Sequence, residues 1–177
     1  MADEAAKQTA LDNHLKEDWR IVHDIWPNIA GLVGKSGTMK VANDVTNSTQ
    51  TPANVTGLSF WAEANTSYGF QFWLRGWTTA ATCAIWFRFT GPGSPTSFWF
   101  HLDMLEVGTA YPLDQEVTAF STDTASNSFL CGTRSFVPIR GFLVNGANSG
   151  TVQLQFRCEA ASQTVTIYAG SSGIWWK

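Results

Sequence analysis

The chain has 177 residues and a formal net charge of −3, and charged and aromatic residues each make up 14% of it. A net charge of −3 gives no electrostatic attraction for the phosphates of nucleic acid, and we expect no nucleic-acid partner. No run of about 18 apolar residues occurs, so we expect no membrane span and no membrane partner. A chain with many rings and few charges has either a thick core or a surface that other subunits cover.

The N-terminal segment, residues 1–37, is predicted to be a helical arm. It holds most of the strong helix formers, with no Gly or Pro before Pro27, and we expect an α-helix from about residue 3 to residue 25. Two interpretations remain open: the helix packs on its own β domain, or its apolar residues anchor the chain to a partner. The apolar residues in question have the 4, 3, 4 spacing of a coiled-coil seam and are Leu15, Trp19, Val22 and Trp26.

Residues 38–177 are predicted to form one β domain, because the apolar period changes from that of a helix to that of a strand. We predict an all-β fold, a jelly-roll-like sandwich of about eight to ten antiparallel strands preceded by the single helix. The segment Gly170–Gly173 is predicted to be a hairpin turn before the last apolar residues. The β-rich runs are residues 58–61, 68–77, 83–89, 98–102, 136–144, 152–156 and 165–168.

The alternation of apolar and polar residues differs between these runs. It is clean in residues 152–157, which predicts one buried and one wet face. In residues 83–89 and 98–102 large rings occupy both faces, which predicts an outer face that other subunits cover. The large side chains that we expect in the core or at subunit contacts are Trp73, Trp86, Trp99, Phe142 and Phe156.

No group of residues predicts catalysis. His101 and Asp103 share one strand face, but no second His accompanies them in the β domain, so a polar strand end is favoured over a metal or acid–base site. The nucleophile, phosphate-binding and zinc-protease motifs are missing from the sequence. The three cysteines, Cys83, Cys131 and Cys158, are odd in number and lie in apolar runs, so we expect free thiols. We therefore expect no enzyme, no metal and no cofactor.

Six segments of the β domain carry a resemblance to known proteins, namely Asn54–Phe60, Ala64–Phe72, Phe89–Pro92, Arg140–Gly146, Gly150–Phe156 and Val165–Ser171. With these segments the chain resembles β domains encoded among the structural genes of tailed bacteriophages, and its C-terminal strands are similar to those of trimeric C1q/TNF-like jelly rolls. The resemblance covers roughly residues 50–175 and leaves out the arm. It implies a trimeric, non-catalytic part of a virion, used on capsids as well as on fibres.

Two locations in a virion fit this resemblance. The first is a capsid decoration (cement) protein, made in the host cytoplasm, which binds the major capsid protein of the assembled shell as a homotrimer and stabilises it. The second is the receptor-binding tip of a tail or head fibre, with a fibre or tail protein and a host receptor or carbohydrate as partners. Only about 35 residues precede the β domain, which is short for a fibre shaft, so we expect the capsid surface.

Overall fold

The computed structural model describes residues 35–79, 84–105, 112–124 and 135–177. The predicted helix and its four apolar residues lie outside these ranges. Among the described residues there are eleven strands, and no helix there is long and apolar enough to cross a membrane. In chain order the strands are β1 (Ser36–Lys40), β2 (Val45–Asn47), β3 (Ala53–Ala62), β4 (Ser67–Thr78), β5 (Ile85–Thr90), β6 (Ser97–Leu105), β7 (Pro112–Val117), β8 (Ser135–Val144), β9 (Gly150–Cys158), β10 (Val165–Ile167) and β11 (Ser172–Trp176).

The strands form two sheets in which all pairings are antiparallel. The larger sheet has the order β1-β11-β4-β8-β6-β7, and β10 joins it by pairing with both β4 and β2. The smaller sheet has the order β3-β9-β5. The prediction of an all-β antiparallel sandwich is therefore confirmed, although the described residues contain eleven strands rather than eight to ten.

The core lies between the two sheets, and a cluster of aromatic rings occupies its centre. Phe89 of β5 is at its centre, fully buried, with its ring centroid 5.1 Å from Phe70 and 5.5 Å from Phe72 of β4. The ring of Phe100 in β6 lies 4.9 Å from Phe89 in an edge-to-face arrangement, a geometry that aromatic pairs favour. Contacts of this kind join the smaller sheet to the larger one and hold the sandwich together.

The alternation predicted for β9 is confirmed. Its inward residues are fully or almost fully buried, and the residues between them are partly exposed on the outer face of the smaller sheet. Rings on both faces are also confirmed for two strands. Phe87 of β5 and Phe100 of β6 are buried, whereas Trp86 and Trp99 beside them point outward and are only half-buried.

A bulge interrupts the pairing of β3 with β9 between Asn54 and Ser59. The amide nitrogen of the Gln153 side chain lies 3.1 Å from the carbonyl oxygens of both Val55 and Leu58. Since a backbone carbonyl without a donor is costly when it is buried, this side chain replaces the backbone hydrogen bonds that the bulge removes.

The predicted hairpin at Gly170–Gly173 is wrong. β10 and β11 do not pair with each other but with different halves of the same neighbour, β4. The chain bends between them in a turn closed by the amide of Ser171, which donates to the carbonyl of Tyr168 at 3.1 Å. Gly170 supplies the positive φ of 86° that this turn needs.

Candidate interaction surfaces

The outer face of the larger sheet carries a row of aromatic side chains, which we call the aromatic row. The strand register places Trp176, Gly69, Phe142 and Trp99 side by side across β11, β4, β8 and β6. The indole of Trp176 lies over Gly69, where a Cβ would be 2.3 Å from the ring. Trp176 is 42% exposed and Phe142 36% exposed, so the row presents large apolar surface to the outside.

The further rows on the same face differ in polarity. The next row is mainly polar and is formed by Ile174, Gln71, Arg140, His101 and Glu116. Beyond it lie Trp73 beside Pro138, and then Arg75 beside Phe136, which is 59% exposed. Apolar patches with polar residues at or near them are typical of surfaces that bind another protein.

The outer face of the smaller sheet carries two arginines, Arg88 and Arg157, whose side chains approach Asp123. We call these two residues the arginine pair. Arg157 donates from Nε to Asp123 at 2.9 Å, and its guanidinium carbon lies 3.6 Å from the centroid of the Trp86 ring. Arg88 donates from Nε to Gln155 at 2.9 Å, and this Nε lies 4.0 Å from the other Asp123 oxygen. Two cations thus converge on one carboxylate.

The segment that carries Asp123 is held against the edge of β5 by backbone hydrogen bonds. The amides of Ser121 and Thr124 donate to the carbonyls of Phe89 and Phe87 at 2.7 Å and 2.9 Å. This attachment places the Asp123 side chain beside the outward residues of β5. The side chains of Asp123, Arg88 and Arg157 are 23%, 25% and 13% exposed, so the arginine pair is only partly open to solvent.

The remaining outward residues of the smaller sheet are uncharged. The amide of Gln155 donates to Asn54 at 2.8 Å, and Ser59, Gln153 and Thr90 form the next row. One row further along, Trp61 lies beside Thr151, and its side chain is 58% exposed.

The structure separates the five large residues that we predicted for the core or the subunit contacts. Phe156 is fully buried between the sheets. Trp73, Trp99 and Phe142 lie on the outer face of the larger sheet, and Trp86 lies on the outer face of the smaller one. The predicted anchor residues Leu15, Trp19, Val22 and Trp26 lie outside the described residues.

Several outward residues were not singled out from the sequence. Trp61, Phe136 and Trp176 are the most exposed large apolar residues of the described chain. For Trp176 a signal was present, because two adjacent tryptophans in one strand must point to opposite faces. Arg88 and Arg157 each lie between two buried residues, which is also a signal for an outward cation in a strand.

No group of three or more His, Cys, Asp or Glu residues that could hold a metal ion occurs in the described part of the chain. His101 is placed next to Arg140 and Glu116 in the strand register. Cys158 is a fully buried thiol, while Cys83 and Cys131 are outside the described residues.

No family model and no curated protein matches the sequence. Among solved structures, the chain is similar to Eiger TNF from S. frugiperda, with 8% identity and a TM-score of 0.36 over 81% of this chain and 92% of that one. It is also similar to a chain of infectious bursal disease virus Gx strain, with 13% identity and a TM-score of 0.41 over 80% of this chain and 31% of that one. A third match is the VP2 subviral particle of that virus, with 13% identity, a TM-score of 0.27 and coverage of 81% and 42%. The chain thus spans less than half of either virus chain.

Proposed function

We propose that this chain is a virion structural protein of the capsid decoration type, which binds an assembled shell as a homotrimer and stabilises it without catalysis or a cofactor. The observation that carries the proposal is the exposed aromatic row on the outer face of the larger sheet. Large rings in contact with water are unfavourable, and their clustering on one face is expected when another protein covers that face.

In this proposal the larger sheet contacts other copies of the chain. The polar row between its apolar rows carries exposed residues of both signs, Arg140 and Glu116. Opposite charges on one face allow two copies to approach without net repulsion, and they favour one orientation of the contact. The predicted anchor residues in the arm then contact the major capsid protein.

Stabilisation follows from preferential binding to the assembled lattice. A protein that binds the shell but not its free subunits shifts the equilibrium towards the shell by mass action. Three linked arms also raise the effective concentration of the second and third contacts, so weak individual contacts combine into tight attachment.

The receptor-binding tip of a fibre is the second candidate, and one observation favours it. Trp61 is 58% exposed on the smaller sheet, among amide and hydroxyl side chains. An indole beside hydrogen-bonding groups is suited to stack on a ligand with a flat apolar face and polar edges. The number of copies per particle separates the candidates, since decoration requires a trimer at each repeated position of the shell.

The mass of the purified protein in solution tests the trimer. Sedimentation equilibrium should give a mass near three times 19.4 kDa. The Phe142→Ser variant should dissociate, because truncating a buried aromatic anchor weakens an interface by about 2 kcal/mol or more. Trp61→Ser is the matched control, since Trp61 is also exposed but lies on the other sheet, and it should remain trimeric. A wild-type protein that is monomeric at micromolar concentration would contradict the proposal.

A further inference from the structure

The arginine pair has the features of a binding site for an anion. Asp123 neutralises only one of the two guanidinium groups, so the cluster keeps one surplus positive charge. Both Nε atoms are already fixed, that of Arg157 by Asp123 and that of Arg88 by Gln155. No described residue accepts a hydrogen bond from either terminal nitrogen of Arg88.

We propose that the outer face of the smaller sheet binds an acidic sugar, a hexuronate within an oligosaccharide, and that the carboxylate of this sugar sits on the arginine pair. This site is separate from the proposed contact between copies of the chain, because it lies on the opposite sheet from the aromatic row. Arg88 and Arg157 are binding residues in this assignment, and Asp123 positions them.

The charge of the site fits a carboxylate. A planar guanidinium binds a carboxylate through two parallel hydrogen bonds. One monovalent carboxylate matches the single surplus charge, whereas a phosphate dianion would add a second negative charge beside Asp123, and like charges at close range repel. Stacking on Trp86 and bonding through Nε hold the guanidinium groups in place before a ligand arrives, which lowers the entropy lost on binding.

The neighbouring rows fit the rest of a sugar chain. Asn54 and Gln155 lie in the row of Arg88, and the hydroxyls of Ser59 and Thr90 follow in the next row. Successive rows on one face of a sheet are about 7 Å apart, so the face offers hydrogen-bonding groups at intervals that a short oligosaccharide spans. Trp61, two rows from Arg88, provides an exposed ring on which a further sugar can stack.

Titration with trigalacturonic acid, followed by nuclear magnetic resonance, tests the site directly. The Nε–H signals of Arg88 and Arg157 and the indole signal of Trp61 should shift as the probe is added. The methyl ester of the same trisaccharide is the matched control ligand, because it keeps the ring and hydroxyls but removes the charges. It should bind roughly tenfold or more weakly, as expected when a charge-assisted hydrogen bond is lost.

Two charge variants separate this site from general attraction of an anion. Arg88→Gln should weaken binding of the acid roughly tenfold, while Lys40→Gln, at an exposed position on the edge strand β1, should leave it unchanged. Equal losses in the two variants would overturn the proposal, as would equal binding of acid and ester. A glutamate-rich peptide that bound more tightly than the trisaccharide would overturn it in favour of a protein ligand. None of these results affects the mass measured for the trimer, so the two proposals succeed or fail separately.

Discussion

The outer faces of the two sheets differ in the polarity and the hydrogen bonding of their outward side chains. On the larger sheet, the outward positions of β4, β8 and β11 include large rings such as Phe142 and Trp176, which have few polar neighbours in their row. On the smaller sheet, the outward side chains hydrogen-bond to one another, from Asn54 through Gln155 to Arg88. The first face leaves apolar area for a partner to cover, and the second satisfies most of its own groups.

A chain with only 14% charged residues thus presents two outer faces with distinct surface chemistry. On the smaller sheet the outward charges bond to each other, around Asp123. The comparison implies that inward substitutions on either sheet reduce stability most. Substitutions among the bonded side chains around Asp123 should reduce it moderately, and substitutions at the strand ends should affect it least.

The largest effect is expected for Phe89→Ala. Phe89 is fully buried and contacts rings from two other strands, β4 and β6, so the variant leaves a cavity in the centre of the core. Removing a buried Phe side chain lowers the free energy of unfolding by about 3–5 kcal/mol. Urea unfolding measures it, and Trp61→Ala on the outer face should change stability by no more than about 0.5 kcal/mol. Similar losses in both variants would mean that the core is not where the structure places it.

A smaller effect is expected for Arg157→Met. The methionine keeps apolar contact with Trp86 but removes the hydrogen bond to Asp123 and the cation–π contact. We expect a loss of about 1–2 kcal/mol in the free energy of unfolding, because the side chain of Arg157 is largely buried. Arg88→Met is the comparison variant. The Nε of Arg88 is 4.0 Å from the Asp123 carboxylate, and the Arg88 side chain is more exposed than that of Arg157. Arg88→Met should therefore lower the free energy of unfolding by less than about 1 kcal/mol. If Arg88→Met lowered the free energy of unfolding as much as Arg157→Met, the contact of Arg157 with Trp86 would contribute nothing to stability.

Much of the fold could be predicted from the sequence because the central strands have strong patterns. The runs predicted around β4, β6, β8 and β9 are strands in the structure. β1 and β7 were not predicted, and both lie at the ends of the larger sheet. β1 has one buried residue, Met39, and β7 begins with a proline. Edge strands of this kind form because the neighbouring strand offers backbone hydrogen bonds, which leaves little trace in the sequence.

The candidate surfaces could be predicted only in part. Rings on both faces of a strand were visible from the sequence, but which rings share a face depends on strand order and register. Trp176 and Phe142 lie in one row only because β4 separates β11 from β8 and contributes Gly69 between them. The arginine pair likewise requires three distant segments to meet at Asp123. Neither arrangement follows from local periodicity, since both arise from pairings between strands far apart in the chain.

The smallest effect is expected at the ion pair between Lys177 and Glu63, which follow the last residues of β11 and β3 and so join the ends of the two sheets. The hydrogen bond to Glu63 raises the pKa of Lys177 above the ordinary value for lysine, since it favours the charged ammonium. A raised pKa in the folded state contributes stability below the ordinary lysine pKa, and this contribution is lost as the pH rises through the folded value.

Titration of the Lys177 side chain by nuclear magnetic resonance should show the raised pKa, and Glu63→Gln should return it towards the ordinary value. Because Lys177 is at the surface, the melting temperature of Lys177→Met at neutral pH should barely differ from that of the wild type, and salt should reduce any difference further. A pKa that did not respond to Glu63→Gln, or a large drop in melting temperature, would show that the two sheet ends are joined in some other way.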